Sequence, residues 1–211
     1  MADNSNSLGL LQSSAVKELA NIGLGNAMTA LSNLTGRYFD MTVPNIDTVN
    51  LDQIPELIDD PMGVSVGIYM PVEGDVCGHM AFLWPWSAGT SIWKMLVGSA
   101  PETPEGIDEL YASTTLEIGN IIGSSFLNAI SDMASLKLHA TPPLFSLDHT
   151  ASICSSVVAE AQLSEVTALF IETEIFEIEN EASDVRGFFL FIPNKDGLDR
   201  IFDNLGIREA A

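Results

Sequence analysis

Apolar residues recur every three or four positions in two long stretches of the chain, a spacing typical of amphipathic helices. The first stretch runs from about Leu10 to Gly36, where the glycine favours a helix end. The second follows a proline-rich connection, where Thr103 is predicted to cap the helix and Pro104 to be its first residue. It continues to about Met133. The pattern therefore predicts two long helices of similar length.

Shorter segments rich in β-branched and aromatic residues predict strands. In the first half of the chain these segments cover residues 62–70 and 76–84, with a turn at 73–75 between them. The other predicted elements are strands at 151–162, 166–179 and 185–192, and shorter helices at 86–97 and 195–205.

The order of elements in the first half repeats in the second, which predicts an internal duplication. The two long helices align at an offset of 99 residues, and the ends of the halves align at an offset of 108, where Gly98 matches Gly206. The difference is a net insertion of nine residues, which we place in the acidic segment 172–184.

We therefore predict an α+β fold with an internal pseudo-two-fold duplication. An antiparallel sheet would be packed by the two long helices and two further helices. The chain is predicted to be one domain, 1–211, made of two pseudo-symmetric halves at about 8–98 and 104–206.

Both halves contain the same set of four residues at the same spacing, which we call the quartet. Its members are Ser14, Glu18, Asn21 and Pro44 in the first half, and Ser113, Glu117, Asn120 and Pro143 in the second. Four residue types at fixed spacing match by chance about once in 10⁵ start positions. Because the set occurs twice on predicted helices, we interpret it as functional.

Helical geometry places the serine, glutamate and asparagine of each quartet on one narrow stripe, since each residue turns the helix by about 100°. The first stripe comprises Ser14, Glu18, Asn21, Gly25, Met28 and Ser32, and the second Ser113, Glu117, Asn120, Ser124, Leu127 and Ser131. The opposite, apolar faces are predicted to pack on the sheet. They comprise Val16, Leu19, Gly23, Ala27, Ala30 and Leu34, and Ile118, Ile122, Phe126, Ala129 and Met133. Both stripes are therefore expected to face solvent.

An exposed carboxamide beside an exposed carboxylate suits phosphoryl transfer to water. The carboxamide can hold a water in line with phosphorus without titrating, and positioning supplies much of the catalysis in such reactions. The carboxylate can pair with a lysine of a partner and set the register of docking. The sequence shows no glycine-rich phosphate loop, metal-ligand cluster or Ser/His/Asp arrangement near the stripes. The phosphoryl group and its metal would then come with the partner.

The two helices and their quartets resemble the CheC/CheX/FliY family of chemotaxis phosphatases. The segments KELANIGLGNAMTALSNLTG (17–36) and STTLEIGNIIGSSFLNAISD (113–132) are similar to the two active-site helices of that family. The duplication extends the resemblance over nearly the whole length. The double quartet resembles the two-site CheC type, and the chain ends at Ala211 without the switch domain of FliY-type members. We therefore expect a stand-alone CheC-type protein.

The resemblance implies a phosphatase that acts on the aspartyl phosphate of a CheY-type response-regulator receiver domain. By this resemblance Asn21 and Asn120 orient the attacking water, and Glu18 and Glu117 pair with a lysine of the receiver. Mg²⁺ is expected in the acidic pocket of the receiver, with no cofactor held by this chain. The serines and prolines of the quartets, Ser14, Pro44, Ser113 and Pro143, would be structural. Met28 stands on the stripe where the family commonly has a smaller residue, which predicts an altered fit at the first site.

Other functions stay open on the sequence alone. The chain could bind a phosphorylated receiver, or a CheD-type deamidase, without turnover. A flagellar-switch component is disfavoured by the missing switch domain. An enzyme that cleaves small phosphomonoesters by itself is disfavoured because the sequence offers neither a nucleophile nor a metal cluster.

Charge and cysteine content narrow the choice of partner and compartment. Eight basic and 29 acidic residues give a net charge of −21, which argues against nucleic acid and anionic lipid as partners. The N-terminus lacks the pattern of a signal peptide, and no segment is long and apolar enough to cross a membrane, so we predict a cytoplasmic protein. Cys77 and Cys154 are predicted to be buried free thiols on strands, and the acidic run 172–181 to be a solvated strand face.

Overall fold

A computed structural model describes residues 8–50, 53–58, 60–161, 167–178 and 180–207. The helices are α1 (Leu10–Thr35), α2 (Ile54–Leu57), α3 (Trp86–Val97), α4 (Glu109–Ala134), α5 (Thr150–Ala161) and α6 (Gly197–Asn204). The strands are β1 (Phe39–Thr42), β2 (Ile46–Asn50), β3 (Val64–Gly74), β4 (Gly78–Pro85), β5 (Leu138–Ala140), β6 (Leu144–His149), β7 (Thr167–Glu177) and β8 (Asn180–Pro193).

The eight strands form one antiparallel sheet that is covered on both faces. Along β8, Phe189 and Phe191 point to a large core shared with α1, α3, α4 and α6. The alternate residues Phe188, Leu190 and Ile192 point to a second core shared with α2 and α5. Burial on both faces explains why β8 reads as a continuous apolar run instead of an alternating pattern.

The two halves of the chain exchange their outer strands. The strand order is β1-β7-β8-β4-β3-β5, with β2 also paired to β7 and β6 also paired to β3. The central pair, β4 and β8, aligns Gly78 with Pro193 and Leu83 with Phe188. On one side β1 and β2 of the first half pair with β7 of the second, and on the other side β5 and β6 pair with β3. The predicted α+β duplication is therefore confirmed, while the predicted limits of the halves stay a prediction.

The duplication is close in detail. Helices α1 and α4 have 26 residues each, and their bounds differ by 99. Both end in a residue with left-handed backbone, Gly36 at φ 70° and Ser135 at φ 52°. The strand starts differ by 103 between β3 and β7, and the strand ends differ by 108 between β4 and β8. Only five of the nine inserted residues therefore fall in the β7–β8 hairpin, where we had placed all nine, and four precede it.

Of the segment 151–162, predicted as a strand, residues 151–161 fold as part of helix α5, and residue 162 lies outside the described residues. The buried apolar positions of α5 are Ile153, Cys154 and Val157, a helical spacing that the adjacent β-branched Val158 obscures in the sequence. Helix α5 packs on the face of the sheet opposite the long helices. The sequence predicted two helices besides the long ones, and it missed both α5 and the short α2.

The predicted start of the second long helix is also wrong. Thr103 and Pro104 begin only a short 3₁₀ turn that ends at Gly106. Helix α4 starts at Glu109, and Asp108 caps it by accepting hydrogen bonds from the amides of the second and third helical residues at 2.9 and 3.3 Å. The negative charge of an aspartate at this position also interacts favourably with the positive, N-terminal end of the helix dipole.

Burial was predicted correctly for one cysteine of the two, and a strand position for neither. Cys154 is buried, on helix α5 and not on a strand, and burial raises the pKa of its thiol to about 11. Cys77 is exposed in the turn between β3 and β4, contrary to prediction.

The acidic run is not a uniformly solvated face. Glu177 is buried at the end of β7, where it accepts a hydrogen bond of 2.6 Å from Nε of Arg37 and pairs with the guanidinium a second time. Arg37 also donates to the carbonyl of Met95 on α3. The pair joins the end of α1 to strands of the other half, and the fork geometry of arginine suits it. Within the predicted run, Glu179 and the side chain of Glu181 lie outside the described residues.

Helices α1 and α4 touch at Gly23. A methyl group there would lie 2.7 Å from the Cα of Phe126 and 3.4 Å from the Cβ of Ala129. By contrast, a methyl group at Gly25, two residues further along α1, would meet nothing within 4 Å. Only the first glycine is therefore required by the packing of the two helices.

The two glycines give a matched test of this contact. Gly23→Ala should lower the free energy of unfolding by about 1–3 kcal/mol, because the methyl group must displace the backbone of α4. Gly25→Ala should raise it by up to about 1 kcal/mol, since alanine favours an exposed helix position. Urea unfolding followed by circular dichroism measures both, and equal effects of the two changes would refute the predicted contact.

Candidate functional site

The two glutamate–asparagine pairs lie on the outer side of the long helices. Glu18 and Asn21 are exposed on α1, and Glu117 and Asn120 are exposed on α4. A spacing of three residues puts the members of each pair on the same side, one turn apart. The neighbours that turn inward, such as Leu19 and Ile118, are 3% and 2% exposed. Packing of the helices on the sheet therefore forces both pairs outward, as predicted.

Only the first part of each predicted stripe is exposed. Met28 on α1 and the equivalent Leu127 on α4 are 2% and 1% exposed. The predicted altered fit at the first site therefore lacks its basis, because Met28 belongs to the core. On the predicted apolar faces, Leu34 and Met133 are 64% and 40% exposed, although we expected them to pack on the sheet. Ala30 is exposed as well. Each long helix contacts both the sheet and the other long helix, so its buried face is wider and rotated relative to the predicted one.

The last serines of the stripes have a structural role that the sequence did not reveal. The hydroxyl of Ser32 accepts a hydrogen bond of 2.9 Å from the amide of Phe39, and Ser131 accepts one of 3.3 Å from the amide of Leu138. These bonds hold the first residue of β1 and of β5 against the helix that precedes each strand. The equal spacing of the two serines from their quartets was the available signal.

The quartet prolines lie at the edges of the sheet and not on the helical stripes. Pro44 separates β1 from β2, which both pair with β7, and Pro143 separates β5 from β6, which both pair with β3. Proline has no amide hydrogen to donate, so it fits a break between two stretches of edge strand. The serines Ser14 and Ser113 are exposed on the helices, and Ser113 donates a hydrogen bond of 3.1 Å to the carbonyl of Leu110.

Comparison with known proteins agrees with the duplicated site. The sequence model of the CheC-like family matches residues 11–46 and 112–147, and each match contains one complete quartet. The chain is 27% identical over 197 residues to the CheY-P phosphatase CheC of Bacillus subtilis, covering 92% of this chain and 94% of that protein. The chain therefore resembles the CheC-like family at both sites.

Two further likenesses concern FliY proteins. The chain is 24% identical over 140 residues to the flagellar motor switch phosphatase FliY of Bacillus subtilis, covering 66% of this chain and 36% of that protein. The match thus spans about a third of FliY. The crystal structure of Thermotoga maritima FliY superposes with a TM-score of 0.77 at 17% identity, covering 94% of this chain and 98% of that one. At this identity the superposition shows a shared fold alone, and it confirms the predicted architecture.

The two CheC-like sites differ at the position four residues after the asparagine. In the second site Ser124 donates a long hydrogen bond of 3.5 Å to Oδ1 of Asn120. The equivalent residue in the first site is Gly25, which offers no side chain and faces open space. Only the second site therefore places a hydroxyl of its own helix near the carboxamide oxygen.

The described residues offer no candidate metal site on this CheC-like chain. Within that part of the sequence, no three His, Cys, Asp or Glu side chains are grouped so that they could hold a metal ion. No helix among the described residues is long and apolar enough to cross a membrane. The catalytic roles given to Glu18, Asn21, Glu117 and Asn120 stay predictions.

The two kinds of stripe serine can be told apart by mutation. Ser32→Ala should lower the free energy of unfolding by about 1–2 kcal/mol, because the amide of Phe39 loses its acceptor at a buried residue. The matched change Ser14→Ala, on the exposed part of the same helix, should stay within about 0.5 kcal/mol of the unmodified protein. Chemical denaturation measures both values, and a neutral Ser32→Ala would contradict the structural role.

Proposed function

We propose that this chain hydrolyses the aspartyl phosphate of a CheY-type receiver domain in chemotaxis signalling. The observation that carries the proposal is the pair of exposed Glu–Asn sets at equivalent positions of α1 and α4, each within a segment that matches the CheC-like family. A relative 27% identical over nearly the whole chain is named a CheY-P phosphatase, which supports the same activity here.

In the proposed reaction Asn21 or Asn120 places a water on the phosphorus. The carboxamide oxygen accepts a hydrogen bond from the water and aligns it opposite the bond to be broken. The water oxygen then bonds to phosphorus while the bond from phosphorus to the aspartyl oxygen breaks. The carboxylate of the receiver leaves with the electron pair, and the proton of the water passes to phosphate or solvent. A neutral amide needs no change of protonation for this role, so positioning is its contribution.

Glu18 and Glu117 are proposed to hold the receiver in register. Each carboxylate would pair with an ammonium group of the receiver, one helical turn from the asparagine. Such a charge-assisted contact fixes orientation as well as adding affinity. Its exposed position makes it sensitive to salt, because exposed charges are screened within about 10 Å at 0.1 M ionic strength.

The metal is proposed to belong to the substrate. Mg²⁺ in the acidic pocket of the receiver would offset the charge of the phosphoryl group. The residues of this chain that touch the reacting atoms would then be the asparagines alone. Pro44 and Pro143 would shape the sheet edges beside the sites, and Ser14 and Ser113 would stay outside the reaction.

The asparagines can be tested with a matched pair of double changes. Asn21→Ala with Asn120→Ala should reduce accelerated loss of phosphate from a CheY-type receiver by about 100-fold or more, because the water loses its orientation. Asn26→Ala with Asn128→Ala removes two other exposed asparagines of the same helices and should leave the rate unchanged. The measurement is the decay of labelled phosphate on the receiver with this protein at catalytic ratio.

The same assay separates the proposal from its alternatives. All four asparagines are exposed, so both double variants should unfold at the same denaturant concentration as the original protein. Undiminished hydrolysis by the Asn21/Asn120 variant would refute the mechanism. Phospho-dependent binding of the receiver without faster decay would instead favour a binding module. Binding of a CheD-type deamidase in place of the receiver would favour that partner.

The glutamates should affect binding more than turnover. Glu18→Gln with Glu117→Gln is expected to raise KM for the phosphorylated receiver about tenfold with kcat nearly unchanged, as for loss of a contact made equally before and during reaction. The control Glu102→Gln removes an exposed carboxylate outside the helices. A fall in kcat without a change in KM would assign the glutamates a different role.

A further inference from the structure

The two sites carry different charges beside the asparagine. In the first site the residue four positions before Asn21 is Lys17, which is exposed. The equivalent residue in the second site is Leu116, which is half-buried. A residue four positions away on a helix lies on the same side, with about 5–6 Å between Cβ atoms. An ammonium group therefore borders the first asparagine, and an apolar side chain borders the second.

Helical geometry also gives the order of the side chains around the axis. At about 100° per residue, Asn21 lies between Lys17 and Glu18, roughly 40° from the first and 60° from the second. The first site thus has a cation on one side of the carboxamide and an anion on the other. The second site keeps only the anion, Glu117.

Lys17 has no acidic neighbour on its own helix. The positions three and four residues away from it, which are its neighbours on the helix surface, hold Ser13, Ser14, Ala20 and Asn21. None of them is acidic. Within the described part of the chain, three of the arginines pair with carboxylates, whereas no carboxylate pairs with Lys17. In a chain of net charge −21, an ammonium group in this state is available to a docked molecule.

We propose that Lys17 determines specificity at the first site by attracting the anionic phosphoryl group, or an acidic side chain next to it, of the docked receiver. The inference rests on the proposed function and deepens it. A receiver that places its lysine against Glu18 brings its phosphoryl group to Asn21, and Lys17 then lies on the far side of that group. The second site lacks this attraction, so the two sites differ in affinity for the phosphorylated receiver and in salt dependence.

The test uses the full chain with one site disabled at a time. In the Asn120→Ala background only the first site works, and Lys17→Leu should raise KM about threefold at low salt while kcat changes less than about twofold. In the Asn21→Ala background, Leu116→Lys should lower KM by a similar factor. Both changes should move the salt dependence of KM, which Lys17→Leu weakens and Leu116→Lys strengthens.

Two controls isolate the position of the charge. Lys94→Leu removes an exposed lysine from α3, away from the stripes, and should leave KM and its salt dependence unchanged. Lys17→Gln removes the charge without adding apolar surface and should behave as Lys17→Leu does. Equal effects of Lys94→Leu and Lys17→Leu would mean that net charge alone matters and would overturn the proposal.

A binding measurement keeps this inference distinct from the phosphatase proposal. The probe is a CheY-type receiver loaded with beryllofluoride, a stable mimic of its acyl phosphate, and the readout is Kd at two salt concentrations. Binding that depends on Lys17, without accelerated phosphate loss, would refute the proposed phosphatase activity and support the role of Lys17. Accelerated phosphate loss with KM, Kd and salt dependence all indifferent to Lys17 and Leu116 would overturn the inference alone. Absence of both binding and acceleration would overturn both.

Discussion

Each half of the chain supplies the outer strands that complete the sheet of the other half. Strands β1 and β2 follow α1 yet pair with β7, and β5 and β6 follow α4 yet pair with β3. Each long helix is therefore connected through a short loop to an outer strand that pairs with the other half of the chain. The two helices pack against each other on the same face of the sheet. The ion pair between partly exposed Arg37 and buried Glu177 joins the end of α1 to strand β7 of the other half. The direction of both exposed stripes is a consequence of this exchange.

Local patterns were enough to predict what depends on neighbours along the chain. The 99-residue offset, the presence of two long helices and the exposure of Glu18 and Asn21 follow from spacing on a helix. The exchange of strands depends on pairing between residues far apart in the sequence, such as Phe39 with Glu177 and Gly74 with Leu138, which no local pattern encodes. Helix α5 was missed for a related reason, because a short segment with Ile153, Val157 and Val158 resembles a strand and only its packing on the second core decides between the two.

The candidate site shows the same division. Periodicity placed the carboxylates and carboxamides correctly, since they lie near the exposed centre of each helix surface. It misplaced Met28 and Leu127, where the opposite long helix and the sheet together bury a wider arc than one apolar face. The roles of Ser32 and Ser131 also required the structure, because a hydroxyl that accepts a strand amide looks in the sequence like any other polar position. Prediction from helical spacing is therefore most reliable where a helix packs on one other element of the fold and weakest where it packs on two.

Duplication has different consequences for packing and for chemistry. Residues that hold a long helix against the strand that follows it keep their equivalents, as Ser32 and Ser131 do, because the same helix-to-strand connection occurs in both halves. Residues that only border the exposed asparagines differ, as Lys17 and Leu116 do and as Gly25 and Ser124 do. None of these four residues belongs to the buried core, so the fold tolerates either residue at each position. A functional difference between the two sites would then appear only when a partner docks on them. The charge beside the asparagine is the feature of the chain that would act most directly on a phosphorylated surface.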